Sequence, residues 1–245
     1  MDELREQCPW DRKQTIHSLR NLTIEEVYEL SDAILRTDMA DLKEELGDLF
    51  LHLVFYARIA REQSAFDVDD VLNAVCDKLV ARHPHIYGDV EVADEEEVAA
   101  NWEKLKLKEG KRSVLSGVPD GLPALNKAVR LQEKTAKVGF EWTEIRPVRA
   151  KVSEEMDELD EAVEAGDRDA IEAEFGDLLF ALVNYARFLK LDPEAALERT
   201  NRSFKRRFEH IEERAADSGR DVHDLDLDEM DAYWEDAKRT ESSGR

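Results

Sequence analysis

The chain has 245 residues, 42% of them hydrophobic, with 58 acidic against 35 basic side chains and a formal net charge of −23. That length can bury a core as one large domain or two small ones, and so acidic a surface repels a nucleic-acid backbone, which excludes a general DNA or RNA binder. Two cysteines, Cys8 and Cys76, exclude a disulfide framework, and neither a signal pattern in MDELREQCPW nor a membrane-length apolar run is found, so a soluble, cytoplasmic protein is expected.

The composition predicts helices, because Gly and Pro are few and strand-type alternation is almost absent. A first helix is predicted from about Thr23 to Leu35, opened by a Thr23/Glu26 capping box, and a second from about Ala40 to Arg61. A third is expected from Val68 to Arg82, and a fourth, beyond Pro84 and the acidic run DVEVADEEE, from Glu95 to Lys108. The stretch EGKRSVLSGVPDGLPAL is dense in Gly and Pro and reads as a linker.

Beyond the linker the chain repeats itself. A shift of 129 positions aligns Thr23–Arg61 with Val152–Lys190, and 15 of those 39 pairs are identical. The match resumes at a shift of 125, placing Arg82 on Arg207, and at 132, placing Trp102–Lys106 on Trp234–Lys238. A tandem duplication follows, with an N-terminal helical domain at 1–110, a linker at 111–123 and a C-terminal helical domain at 124–245.

Each copy carries the same acidic pattern. Glu25, Glu26 and Glu29 precede Glu45 and Asp48 in the first; Glu154, Glu155 and Glu158 precede Glu174 and Asp177 in the second. Residues three apart share a helix face. If the two helices of each copy fold back across the link near Thr37–Asp38, four carboxylates converge at the edge of the apolar stripe Leu49, Leu53, Tyr56. Crowded like charges are costly unless neutralised, and clustered carboxylate oxygens suit a hard divalent cation such as Mg²⁺. The bland alternative is a solvated acidic helix face, with Glu26 serving only as a cap. It accounts poorly for the second copy, where Met156 stands three residues after Ser153 and removes the box while the glutamates stay. A di-iron bundle would call for Glu-x-x-His motifs. The nearest candidate, His52, is four residues from Asp48 and is replaced by Ala181 in the second copy, so His52 reads as a packed helix residue.

At EExxE followed by ExxD the sequence resembles the MazG-like all-α nucleoside triphosphate pyrophosphohydrolases. CPWDRKQTIHSL, RHPHIYGD, NWEKLK, SGVPDGLPAL, VGFEW and YWEDAK extend the resemblance over almost the whole chain. It implies an all-α, dimeric protein of tandem duplicated four-helix MazG-like bundles. It also implies Mg²⁺-dependent hydrolysis of nucleoside triphosphates to monophosphate and pyrophosphate, with Mn²⁺ as a substitute ion, in nucleotide-pool cleaning or a stress response.

Carried onto this chain, the resemblance makes Glu155, Glu158, Glu174 and Asp177 metal ligands and puts Glu154 near the reacting water, all five being catalytic residues. Lys151, Ser203, Lys205, Arg206, Arg207, Trp234 and Lys238 would bind substrate, the cations meeting phosphate and Trp234 the base. Glu26, Glu29, Glu45 and Asp48 form a second candidate metal site. The copies differ: Lys151 has only Leu22 as its counterpart, and Ser203 stands where Lys78 stands in the first half. Two other readings remain: a non-catalytic nucleotide-sensing scaffold, and a helical enzyme restricted to dUTP or phosphoribosyl-ATP.

Overall fold

A computed structural model describes residues 1–92, 94, 97, 98, 101 and 113–243. Every regular element among them is helical. The chain divides into two compact units, Met1–Lys111 and Arg112–Arg245. The helix expected from Glu95 to Lys108, with the NWEKLK segment, lies almost wholly outside the described residues.

Unit 1 is built on a hairpin of α2 (Ile16–Arg36) and α3 (Met39–Glu62), preceded by the short α1 (Asp2–Gln7) and followed by α4 (Val68–Arg82) and α5 (Pro84–Tyr87). The first long helix begins seven residues before the expected Thr23. Its capping box is formed by Thr15 and Ser18, each side chain bonding the other's backbone N–H. Thr23 is instead inside the helix, where its hydroxyl bonds the Leu19 carbonyl and lies 2.7 Å from the Tyr56 hydroxyl. Glu26 is thereby released from any capping duty. Leu19, Phe55 and Ile59 form the buried centre, each contributing roughly 1.5–3 kcal/mol by leaving water. Buried Arg5 clamps α1 to the end of α3 through Glu62, at 2.9 Å from Nε and 2.5 Å from Nη2, and also donates to the Asp11 and Gln14 carbonyls.

Unit 2 repeats the hairpin as α7 (Ile145–Ala165) and α8 (Arg168–Phe188). It adds α6 (Ala124–Ala136) before the hairpin, and α9 (Pro193–Asp217) and α10 (Leu227–Ser243) after it. Ile211, Ala215 and Leu225 form a buried cluster, with Tyr233 and Trp234 packed against it. Residues 113–123 hold no helix, and buried Lys134 on α6 donates to the Val114 and Ser116 carbonyls, fastening this segment down.

The two hairpins turn in the same way at the same repeat position. Thr37 ends α2 and Gly166 ends α7, both left-handed with φ of 57° and 71°, and the next residue, Asp38 or Asp167, caps the following helix by accepting two backbone N–H bonds. A left-handed end followed directly by an Asp cap closes a hairpin in two residues, and each such cap is worth about 1 kcal/mol.

The expected stripe Leu49, Leu53, Tyr56 is buried only in part: Leu49 and Tyr56 are half-buried, and Tyr56 packs against the Leu19, Phe55, Ile59 centre. His52, Phe55, Ile59 and Ala60 point inward, and Leu53 is exposed. The uncovered apolar face recurs in both units: Val27, Ile34, Leu46, Phe50 and Leu53 are exposed, and so are Met156, Val163, Phe175, Leu179 and Leu182, each pair 129 positions apart. No described helix is long and apolar enough to cross a membrane.

Candidate metal and substrate site

Because α7 and α8 are antiparallel, acids spaced one turn apart on each face one another across the hairpin. Glu155, Glu174 and Asp177 each bring one carboxylate oxygen within 4.8 Å of the others. Glu155 is 6% exposed, Glu174 half-buried and Asp177 exposed, so the cluster leads from the interior to solvent. Glu158, the fourth expected ligand, lies outside that closest set but within its field. Burial first, and then Glu155, Glu174 and Glu154, push its carboxyl above the usual range, with Lys151 opposing them.

The first unit assembles the corresponding cluster from Glu26, Glu29 and Glu45, again within 4.8 Å. Here Asp48 is the outlying member, felt by Glu26, whose carboxyl is raised first by burial and next by Asp48 and Glu29. Glu45 is raised by burial and then by Glu29 and Glu26, and its Oε2 is buried without a hydrogen-bond partner. A buried carboxylate oxygen with no donor, surrounded by acids, is the environment a divalent cation satisfies. His52 is buried one turn beyond Asp48 and takes no part in the three-residue cluster.

The units differ in charge balance. Lys151 Nζ lies 2.7 Å from both Glu154 Oε1 and Glu155 Oε1. These contacts hold its ammonium well above the ordinary lysine range. At the equivalent place α2 carries Leu22. The second cluster therefore has a resident cation and the first has none among the described contacts.

A cavity of about 670 Å³ opens beside the second cluster, and Lys151, Glu155 and Asp177 line it. Its other walls come from α6 (Leu131, Gln132, Thr135), from the turn Gly139–Trp142 and from Phe180, Ala181, Asn184 and Arg187 on α8. The turn exists because Gly139, at φ 86°, takes a left-handed conformation that a side chain disfavours, and the Phe140 N–H bonds back to the Thr135 carbonyl at 3.1 Å. Arg187 pairs with Glu141 and donates to Asn184 Oδ1 at 3.0 Å, joining the turn to α8.

The remaining expected substrate residues sit on α9 and α10, and none lines this cavity. Arg206 and Arg207 both pair with Glu241, Lys205 with Glu209 and Lys238 with Glu235. Trp234 packs against Phe204 at 5.2 Å between ring centres and carries the Arg207 guanidinium over its face at 5.4 Å. Arg206 also donates to the Ser203 hydroxyl at 3.4 Å. Glu154 is exposed and bonded to Lys151.

Gln132, Phe140, Trp142, Asn184 and Arg187 were not singled out by the acidic motifs. The one sequence signal for them was VGFEW, residues 138–142, together with the repeat identity that includes Arg187.

Comparison with known proteins agrees with the duplication. The family described as the MazG nucleotide pyrophosphohydrolase domain matches twice, over residues 14–87 and 145–212. The chain is similar to a nucleoside triphosphate pyrophosphohydrolase of Escherichia coli (strain K12), 44% identical over 240 residues, covering 96% of this chain and 91% of that one. A Thermotoga maritima protein named nucleoside triphosphate pyrophosphohydrolase/pyrophosphatase MazG is 43% identical over 243 residues, covering 97% and 92%. An uncharacterised Bacillus subtilis protein, YabN, is 49% identical over 238 residues, which are 96% of this chain and 49% of that protein.

Proposed function

Since this chain belongs to the MazG nucleotide pyrophosphohydrolase family and is a hydrolase of that type, we propose that it cuts nucleoside triphosphates to monophosphate and pyrophosphate at the α7–α8 site. The observation that carries the reading is the convergence of Glu155, Glu174 and Asp177 at the edge of a cavity of nucleotide-accommodating size. Both ribo- and deoxyribonucleoside triphosphates are proposed as substrates, in control of the nucleotide pool and in the cytoplasm.

Glu155, Glu174 and Asp177, with Glu158 beside them, fit a hard divalent cation by their oxygen donors and graded burial; Mg²⁺ is proposed, with Mn²⁺ as substitute. Such an ion, when bound, supplies positive charge to triphosphate oxygens and eases attack at the α-phosphorus. Lys151 donates its ammonium protons to Glu154 and Glu155 in this structure, and a phosphate oxygen is an equivalent acceptor for them. Glu154 is exposed and within reach of water, the position for a group that orients the nucleophile or takes its proton. Ser203, Lys205, Arg206, Arg207, Trp234 and Lys238 are proposed as further substrate contacts on the family resemblance; the observed pairs with Glu209, Glu235 and Glu241 must open for those cations to act.

The equivalent exposed apolar faces of the two units support homodimer formation, since they are the core faces of a bundle that a second copy would complete. Pyrophosphate and monophosphate release from a panel of triphosphates, with and without divalent cation, tests the reading. Tight nucleotide binding with no product would favour the non-catalytic scaffold.

A further inference from the structure

The segment joining the two repeats reads as a linker from its Gly and Pro content, yet part of it is a wall of the cavity beside the second acidic cluster. Leu115 lines that cavity. One side chain holds the backbone on either side of it: Lys134 on α6 donates to the Val114 carbonyl at 3.3 Å and to the Ser116 carbonyl at 3.2 Å. Lys134 is 7% exposed and lies within one turn of Leu131, Gln132 and Thr135, the α6 residues that line the same cavity. The segment is also folded on itself. Ser113 Oγ accepts from the Leu115 N–H at 3.2 Å, and the Ser113 carbonyl accepts from the Ser116 N–H at 3.0 Å. The Leu115 carbonyl accepts from the Val118 N–H at 3.3 Å, around Gly117 at a left-handed φ of 84°. Further along, Lys127 on α6 donates to the Asp120 carbonyl at 2.6 Å. A tether needs none of this. Burying an ammonium is costly, and a methionine of similar length would fill the space without that cost. What the ammonium adds is directional donors that hold a backbone in one place.

We propose that Lys134 is a positioning residue for the hydrolase: it fixes residues 113–118 as a strap, so that Leu115 closes part of the working cavity. The inference rests on the hydrolase reading and extends the site beyond the acidic hairpin. Leu115 and Lys134 both lie outside the two spans that match the family, 14–87 and 145–212, so this wall comes from the connection before the second matched span. Residues 113–118 have no ionisable side chain, so they act through shape and not through the chemical step. A strap held by short turns and by lysines from one helix opens more readily than the long helices beside it. Substrate affinity, and not turnover, is therefore the quantity it controls.

Steady-state kinetics and amide hydrogen exchange on the whole chain test this. Leu115→Ala should raise KM for a nucleoside triphosphate about threefold or more, with kcat within about twofold of wild type. Lys134→Met should raise KM as much and speed exchange at Leu115, Ser116 and Val118 about tenfold or more, with exchange in α7 and α8 unchanged. The double variant should be no worse than Lys134→Met, because a released strap no longer presents Leu115. Lys134→Arg keeps the charge and the donors and should restore both readouts to within about twofold of wild type. Leu115 is 40% exposed, so its truncation leaves folding intact and decides the matter if Lys134→Met does not fold. Four results overturn the proposal and leave the hydrolase reading standing: an unchanged KM in Leu115→Ala, faster exchange in Lys134→Met without a KM change, a KM change without faster exchange, or fully additive losses in the double variant. A wild-type chain without turnover overturns the hydrolase reading instead. Exchange then decides the strap, which stands only if an α,β-imido nucleoside triphosphate with Mg²⁺ slows it at 115–118 and Lys134→Met abolishes the slowing.

Discussion

Lys151 and Glu155 form an ion pair one turn apart on α7, with Nζ 2.7 Å from Oε1 and the carboxylate buried. The lysine occupies the acid that a metal ion would claim, so the ammonium and the ion compete for Glu155 until phosphate gives the ammonium another acceptor. Replacing Lys151 with Met should therefore tighten binding of Mn²⁺ alone by roughly tenfold, a change of about 1.4 kcal/mol, and at the same time weaken triphosphate binding. Titration with Mn²⁺ in the absence of nucleotide, set beside KM for a triphosphate, checks both halves. Unchanged Mn²⁺ affinity would mean that the lysine is no competitor.

Asp177 is exposed, so changing it to Asn costs the fold little. Turnover should fall on the order of 100-fold while helical circular dichroism and melting stay close to wild type. The parallel change Asp48→Asn reports on unit 1. If the α7–α8 site is the working one, that variant keeps most activity, and equal losses from both would show that both halves turn over.

Glu26 and Glu45 have carboxyls raised above the ordinary range by burial and by their acidic neighbours. A raised folded-state value means that the folded chain holds more protons than the unfolded one between the two values. The stabilisation this gives is fully present below the unfolded carboxylate range and is lost as pH climbs through the raised values. In chelator, the melting temperature of unit 1 should accordingly drop as pH rises from about 4.5 toward neutrality. At neutral pH a divalent ion at 100 times its dissociation constant should restore about 2.7 kcal/mol. Glu45→Gln should flatten the pH dependence and weaken the response to the ion, and differential scanning calorimetry reads both effects.

Thr37 holds the left-handed turn that Gly166 holds in the second hairpin. That conformation costs an ordinary residue ~1–2 kcal/mol, and glycine returns ~0.5–1 kcal/mol of the gain through its freer unfolded state. Thr37→Gly should stabilise unit 1 by about 0.5–1 kcal/mol, and Gly166→Ala should destabilise unit 2 by about 1 kcal/mol. No neighbouring atom lies within 4 Å of an added Cβ at 166, so the second effect isolates the backbone term. Urea unfolding of the two variants provides the comparison.

The hairpins were legible because their signals are local and occur twice: Asp38 and Asp167 cap, the residues before them turn, and the acids recur at fixed spacing. α4 was read from Val68 to Arg82 and has those bounds. Thr23 and Glu26 imitate a capping box inside α2, whereas the helix starts at the reciprocal Thr15/Ser18 box upstream, and Leu19 in the core belongs to its first turns. On α3 the apolar pattern finds Leu49 and Tyr56, which are half-buried, but also takes in exposed Leu53, because apolar residues on the covered and uncovered faces of a helix have the same chemistry. Gln132 could not have been found from pattern, since its meaning depends on Phe180, 48 residues later, taking one end of its amide.

Duplication has given one polypeptide two matching scaffolds that differ at the residue preceding the acids, Leu22 in one and Lys151 in the other. With turn geometry and carboxylate spacing shared, that exchange decides whether an ammonium stands against the acids. The copy with leucine there offers its carboxylates to an incoming cation with no ammonium standing in the way, whereas in the other copy the same visitor must displace one.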